Sequence, residues 1–260
     1  MAKFIEDILN FPAVPDNVLV WWLGQSGFIF KNPEGKIIAI DAYLSNSAAK
    51  NRSDLNRLIP VPVLPEELIC DYYICTHNHT DHADPETIKN LKNKQSIIFI
   101  GPRNVVKLYR ELGIPEKNIQ LLEAGETIRF GELTLTGTFC IPNSEAVLDS
   151  TGIILKYKNL CIYHSGDTGY HPFLGYISRY RVDLALLCIN GKYRNMTYQE
   201  AFSLSEAIAP RYAVPCHFDM FPINREDPGL FKELFEQRKS KTKCIVPEIG
   251  TVIKINTVKK

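Results

Sequence analysis

A chain of 260 residues with 45% apolar and 23% charged side chains has the balance of a soluble globular protein of one or two domains, which excludes disorder, collagen and coiled coil as whole-chain readings. Lys+Arg (30) and Asp+Glu (29) nearly cancel to a net +1, so there is no basic excess of the kind that nucleic-acid binding uses. No apolar run approaches the roughly 18 residues needed to span a bilayer, and MAKFIEDILNFPAVP lacks the basic start and continuous apolar stretch of a secretory signal.

In chain order, VLVWWL (18–23), GFIFK (27–31) and KIIAID (36–41) predict a meander of antiparallel strands. The Gly24 to Gly27 turn between the first two reads as a plain hairpin. Residues 42–69 are polar and rich in Pro and read as a long surface excursion. DYYICT (71–76) is a buried strand running into a polar loop. Asp84-Pro85-Glu86 supplies a helix start, with Asp as N-cap and Pro at the first helical position, and that helix runs to about Lys94. A strand at 96–100 and a helix near 103–112, closed by Gly113, follow. Strand patterns return at 126–141, 152–158 and 160–164 and within YRVDLALLCI. Thr197 with Glu200 forms a capping box for a helix over 197–209. RYAVPCHF is a strand, 228–239 a helix, and two strands near 243–255 complete the chain. Strands come first and alternate with helices later. That rhythm suits an α/β chain, a four-layer αββα sandwich of two mixed sheets with helices outside, in one domain over 1–260.

The seven cysteines are odd in number and form no C-x-x-C pair. They read as small buried hydrophobes in a reducing compartment, and so as a cytoplasmic protein.

The strongest chemical signal is Thr76-His77-Asn78-His79-Thr80-Asp81-His82, directly after a buried strand. His77 and His79 lie two apart, so an extended chain points both rings to one side. Asp81 and His82 sit on the turn into the next helix and can face the same space. Imidazole and carboxylate donors suit Zn²⁺, Mn²⁺ or Fe²⁺. Two distant strand ends offer further donors, Asp167 in Ser165-Gly166-Asp167-Thr168-Gly169 and His217 after RYAVPC. Each is a weak signal alone, and their order after the histidine cluster strengthens both. Asp41, at the end of the third strand, is placed to support the metal loop from behind.

These residues resemble the metallo-β-lactamase superfamily of hydrolases. WWLGQSGF (21–28), IDAYLS (40–45), RLIPVPVLPEE (57–67), THNHTDHADPETI (76–88), YHSGDTG (163–169), NMTYQEA (195–201) and PCHFDMFPINREDP (215–228) resemble more closely the L-ascorbate-6-phosphate lactonase-like family within it. The resemblance implies the same αββα fold. It implies His77 and His79 on one metal, Asp81, His82 and His217 on a second, and Asp167 between them. One piece departs from the pattern. The third histidine of the first metal is missing, because no His lies between His82 and His164, and Asn143 stands in that loop as a weak ligand or a substrate contact.

The implied function is a hydrolase that opens a lactone or similar ester, of a phosphorylated sugar acid in the closest family, by attack of a metal-bound hydroxide. One or two Zn or Mn ions per chain are its cofactor. Asp81 is the expected proton acceptor, and His164 or His171 the donor to the leaving alkoxide. A small anionic substrate suits Arg57, Arg194, Asn195 and His171, which flank the motifs. No nucleic-acid or membrane partner is expected, and a homo-oligomer is compatible with the sequence. Two alternatives stand beside this reading: a phosphodiesterase or nuclease of the same superfamily, and a non-catalytic binding protein with a degraded metal site.

Overall fold

A computed structural model describes residues 2–13, 16–142 and 148–256 of the protein. The first sheet comprises β1 (Asn17–Gly24), β2 (Gly27–Lys31), β3 (Ile37–Ile40), β4 (Tyr72–Ile74), β5 (Ile98–Gly101) and β6 (Ile119–Leu121), with the last strand, β14 (Val252–Asn256), on the far side of β1. The second comprises β7 (Thr127–Phe130), β8 (Leu133–Phe139), β9 (Thr151–Tyr157), β10 (Leu160–His164), β11 (Leu184–Cys188), β12 (Tyr212–Cys216) and β13 (Lys243–Cys244), in sequence order across the sheet. Both sheets are mixed. Strands β3 to β6 run parallel, as do β10 to β13, while the remaining pairs are antiparallel.

Alternation along the strands builds the layers. Val20, Trp22, Phe28, Ile40 and Ile74 of the first sheet pack against Ile153, Leu155, Ile162 and Leu186 of the second. The intervening residues, among them Leu19, Trp21, Ile29 and Tyr73, face outward under helices α1 (Ala2–Asn10), α2 (Pro85–Asn90) and α3 (Arg103–Glu111), meeting Ile8, Ile88, Val105 and Tyr109. Trp21 and Trp22 thus point to opposite faces and are both buried. Helices α4 (Tyr198–Ile208) and α5 (Pro228–Gln237) cover the outer face of the second sheet through Leu204 and Phe231. This is the four-layer αββα sandwich of the metallo-β-lactamase fold.

The parallel strands bring the chemistry to one edge. Asp41 follows β3, the histidine cluster follows β4, Asp167 follows β10 and His217 follows β12. Each therefore sits at the carboxyl end of a parallel strand, where side chains leave the ladder without breaking it. The backbone N–H of Thr151 donates to Thr76 O (2.9 Å) and ties the two sheets together beside this edge.

Three expectations change. Helix α2 ends at Asn90 rather than near Lys94, because Leu91 turns to an extended ψ of 131° and buries its side chain in the outer core. Residues 42–69 are more than a surface excursion. Ala42, Tyr43, Leu44, Val63, Pro65 and Leu68 are buried, and Tyr43 packs with Met220 and Phe221. Finally, α1, β6 and the 3-10 helix Pro172–Tyr180 are elements that the sequence reading lacked. The seven cysteines are all free, and burial raises the thiols of Cys75 and Cys216 far above their ordinary value.

Helix α1 is held by a buried lysine. Lys31 Nζ donates to the carbonyls of Ile8 (3.0 Å), Leu9 (2.7 Å) and Phe11 (2.9 Å). These are the carbonyls that a helix C-terminus leaves without partners, and a cation suits that end of the dipole. Lys31→Met keeps the apolar stem but removes the donors. The expected loss is about 2 kcal/mol, or roughly 5 °C in Tm. An unchanged Tm with unchanged hydrogen exchange in α1 contradicts this.

Candidate metal centre

Two groups of donors converge at the sheet edge. His77, His79 and Asp167 form one, and Asp81, His82 and His217 the other; within each, the ligand atoms lie within 4.8 Å of one another. Asp167 reaches both, since its Oδ1 is 3.4 Å from His82 Nε2 and 3.1 Å from His217 Nε2. His77 Nε2 is 2.9 Å from His79 Nδ1. Asp81 Oδ2 lies 3.7 Å from His82 Nε2 and 3.6 Å from His217 Nε2.

Asp41 sets the tautomers from behind. It is fully buried, and its Oδ1 accepts from Thr76 N (2.8 Å). Its Oδ2 accepts from Thr76 Oγ1 (2.7 Å) and from His82 Nδ1 (2.8 Å). With the Thr76 hydroxyl hydrogen spent on Asp41, that hydroxyl accepts from His77 Nδ1 at 3.1 Å. Both imidazoles therefore keep a proton on Nδ1 and turn Nε2 toward the centre, the nitrogen through which a metal ligand binds. His82 Nε2 and Asp167 Oδ1 are buried and have no hydrogen-bond partner. Two polar atoms left without a partner in the interior are costly on their own. A divalent cation accounts for both, so the donor set fits one.

The backbone is bent to make this arrangement. Gln25 (φ 52°), Asp41 (φ 46°) and His217 (φ 59°) all adopt the left-handed region. Each costs about 1–3 kcal/mol that surrounding contacts must offset. Gly166, beside Asp167, takes φ +59°, and a side chain there would press on Thr76 Cβ at 3.2 Å. The Gly is thus required for the second sheet to bring Asp167 against the histidine loop.

The charges interlock. Burial opposes a positive His82, but Asp167, Asp41 and Asp81 surround it and raise its pKa to about 10. Burial likewise opposes a charged His217, which Asp167 nevertheless raises. His77 goes the other way, lowered by burial and by His82 to about 3. Burial disfavours the charged form of Asp167, but His217 and His82 hold it well below the usual carboxylate range.

Above the donors opens a cleft of about 460 Å³. Its floor includes Gln25, His79, Asp81, Asp167 and His217. One wall is apolar, with Ala48, Leu55, Phe221 and Ile223, and Lys50, Arg52 and Tyr193 also line the space.

The remaining expected site residues are placed elsewhere. His164 donates through Nε2 to Ser26 O (2.8 Å) and accepts from Gly166 N at Nδ1 (3.0 Å). Both nitrogens are spent and the ring is buried, so it braces the Gly166 turn and gives up the expected role of proton donor. His171 is exposed and caps the 3-10 helix, accepting from Phe173 N at Nδ1 (3.1 Å), and does not line the cleft. Arg57 is a loop clamp rather than a substrate contact. It donates to Tyr43 O (2.7 Å), Ser45 O (3.3 Å) and Ile59 O (3.0 Å), and its guanidinium stacks on the Tyr43 ring. Arg194 is exposed and outside the cleft lining. Asn195 is buried and donates to Asp167 Oδ2 (2.8 Å), so it orients a ligand from behind. Asn143 lies outside the described residues. Gln25, Lys50, Arg52, Tyr193 and Asn224 are among the cleft residues that the sequence reading missed.

The chain is similar to several known proteins. A family model described as the Beta-lactamase superfamily domain matches residues 19–217. A UPF0173 metal-dependent hydrolase of Caldivirga maquilingensis is 31% identical over 241 residues, covering 90% of this chain and 96% of that protein. One of Myxococcus xanthus is 28% identical over 246 residues, covering 89% of this chain and 81% of that protein. The solved structure of a metallo hydrolase from the hyperthermophilic archaeon Ignicoccus hospitalis matches with a TM-score of 0.72 at 25% identity, over 92% of this chain and 99% of that one. The isothiocyanate hydrolase from Delia radicum gut bacteria matches with a TM-score of 0.77 at 19% identity, over 92% and 100%, a likeness of fold. Among the described residues no helix is long and apolar enough to cross a membrane.

Proposed function

Since the chain belongs to the beta-lactamase superfamily and, within it, to the UPF0173 metal-dependent hydrolases, we propose that it hydrolyses an ester or lactone bond in a small substrate that carries both an anionic group and an apolar part. The observation that carries this reading is the juxtaposition, in one cleft, of four of the six donors (His79, Asp81, Asp167 and His217), an apolar wall and two cationic side chains. An all-polar sugar acid leaves Leu55, Phe221 and Ile223 without complementary surface, whereas an acyl or aryl group covers them.

A divalent ion held by the two donor groups supplies Lewis acidity and lowers the pKa of water toward neutrality. Asp81 both belongs to a donor group and lines the cleft. Its carboxylate, kept ionised by His82 and His217 against the opposing effect of burial, accepts the proton of the attacking water. It then returns that proton to the leaving oxygen, a duty no imidazole of His164 or His171 is placed to perform. His77, His79, His82, His217 and Asp167 hold the centre, and the packed interior on two sides excludes bulk water.

Arg52 and Lys50 receive the anion. Arg52 pairs with Asp54 (Nη2 to Oδ2, 2.5 Å) and lines the cleft together with Tyr193, while Lys50 pairs with Glu86. These are exposed ion pairs, which hold weakly, so a substrate carboxylate or phosphate competes for them. Arg52→Ala should raise KM about tenfold for an ester bearing a remote carboxylate. The neutral analogue should be unaffected, and Arg194→Ala should change neither. Equal loss on both esters removes Arg52 from this role. A protein that retains metal yet cleaves no ester or lactone overturns the proposed reaction.

A further inference from the structure

Gln25 sits between two of the donors and is itself fixed by a third residue. It is fully buried, and its Nε2 lies 2.7 Å from Asp81 Oδ2 and 3.2 Å from His217 Nε2. An amide can be turned either way, so what matters is why nitrogen rather than oxygen faces the centre. The answer runs through Asn224. The backbone N–H of Phe221 donates to Asn224 Oδ1 (2.8 Å), which commits that oxygen as the acceptor and leaves Nδ2 as the donor. Asn224 Nδ2 then donates to Gln25 Oε1 (3.0 Å). With its oxygen taken, Gln25 can present only N–H groups to Asp81 and His217.

The backbone of Gln25 is equally pinned. Its carbonyl accepts from Trp22 Nε1 (2.9 Å) and from His217 N (2.9 Å). The residue holds a left-handed φ of 52°, a conformation that persists because these contacts enforce it. Phe221 and Asn224 belong to the segment that forms the apolar wall of the cleft. The relay Phe221 N–H to Asn224 to Gln25 to Asp81 therefore runs from the cleft wall to the donor group.

We propose that Asn224 and Gln25 form a positioning relay that fixes the orientation of the Asp81 carboxylate. The relay rests on the reading of Asp81, His82 and His217 as metal ligands. One oxygen of Asp81 is held by the Gln25 N–H, so the carboxylate cannot rotate freely between the ion and the cleft. A donor amide cannot itself bind a cation, so Gln25 acts through Asp81 rather than as a ligand. Partners of this kind alter metal affinity by about 10–100-fold when removed.

The test compares Gln25→Met, Asn224→Asp and the double variant, each titrated with Zn²⁺ against a competing chelator. Gln25→Met deletes the N–H. Asn224→Asp keeps the acceptor for Phe221 N, and so the local turn, but can no longer donate; Gln25 then rotates and sets its oxygen against Asp81. Both single variants should raise the Zn²⁺ Kd by about 10–100-fold. The double variant should be no worse than either, because the two residues act in series. In steady-state assays kcat should fall more than KM rises, since Asp81 handles the proton. Melting temperatures of the metal-free proteins separate this from unfolding. An Asn224→Asp protein that melts normally and binds Zn²⁺ within twofold of the original overturns the relay, as do additive effects. A wild-type protein that binds no Zn²⁺ overturns both the relay and the metal reading beneath it, whereas unaffected variants of a Zn²⁺-binding protein overturn the relay alone.

Discussion

Asp167→Ala is expected to strip the centre of metal and lower turnover by about a thousandfold or more, the largest single effect in the molecule. Asp167 belongs to the first donor group, and its Oδ1 also lies within 3.4 Å of two nitrogens of the second. Removing it takes a ligand from the first group and also takes away the carboxylate closest to His82 Nε2 and His217 Nε2. Those two imidazoles are then left as buried, mutually repelling groups with less negative charge to hold them. Loss of a partner that merely orients a ligand costs about 10–100-fold in metal affinity, and loss of a shared ligand exceeds that. The fold should survive, because Asp167 lies at a strand end in a turn whose backbone is set by Gly166 and His164. The isosteric Asp167→Asn separates charge from shape. It keeps the volume beside Asn195 and should still lose most of the metal. Elemental analysis with a melting curve on each variant reads this directly. An Asp167→Ala protein that retains metal and activity removes Asp167 from the centre.

Metal affinity is also expected to climb steeply with pH. In the metal-free protein, burial disfavours a charged His82, yet Asp167, Asp41 and Asp81 raise its pKa to about 10, so the ring is protonated at neutral pH. A metal ion must displace that proton from Nε2. Affinity should therefore rise about tenfold per pH unit across the range from 6.5 to 9, and level off above the raised pKa. His217, also raised by Asp167 against burial, adds a second displaced proton at the lower end. His77 contributes nothing, since at about 3 it is already neutral. Stability has the matching sign. A folded-state pKa above the ordinary value gives stability that is present in full below about 6.5 and is lost as pH rises through about 10. The metal-free protein should thus lose Tm from pH 7 to 10, while the metal-loaded protein gains relative to it. Chelator-competition titrations at several pH values measure the slope. A flat profile contradicts the proton–metal exchange at His82.

Much of the centre was legible in the sequence because its donors stand at strand ends in a recognisable order. The H-x-H-x-D-H segment, Asp167, His217 and Asp41 all stand out in the sequence as candidates, and the fold brings them to one edge. What the sequence could not show is how a polar side chain is spent. Arg57 and Arg52 lie five positions apart in the same Pro-rich stretch, yet Arg57 is consumed by three backbone carbonyls while Arg52 reaches the cleft. His164 looked available, but its two nitrogens bind Ser26 and Gly166 across 138 and 2 residues of sequence. Gln25 was hidden in a Gly-flanked turn that resembles an ordinary hairpin. Its partners, Asp81 and Asn224, are 56 and 199 residues away, and only the folded chain assembles them. Helix α1 carries a usable signal, with Ile5 and Ile8 on one face and Glu6 and Asp7 between them, but the segment is too short and too close to the end of the chain for that pattern to stand out.

The two donor groups are unequal, which allows a direct test of the centre. Asp81, His82 and His217 are three ligands supplemented by Asp167 as a fourth, whereas His77 and His79 have Asp167 as their one further donor among the described residues. The decisive measurement is metal content and chelator-competition titration of protein purified without added metal, at neutral pH. About one tightly held divalent ion per chain should be found, with a second bound more weakly. A wild-type protein that holds no divalent ion at micromolar free metal, yet is correctly folded, contradicts the centre itself.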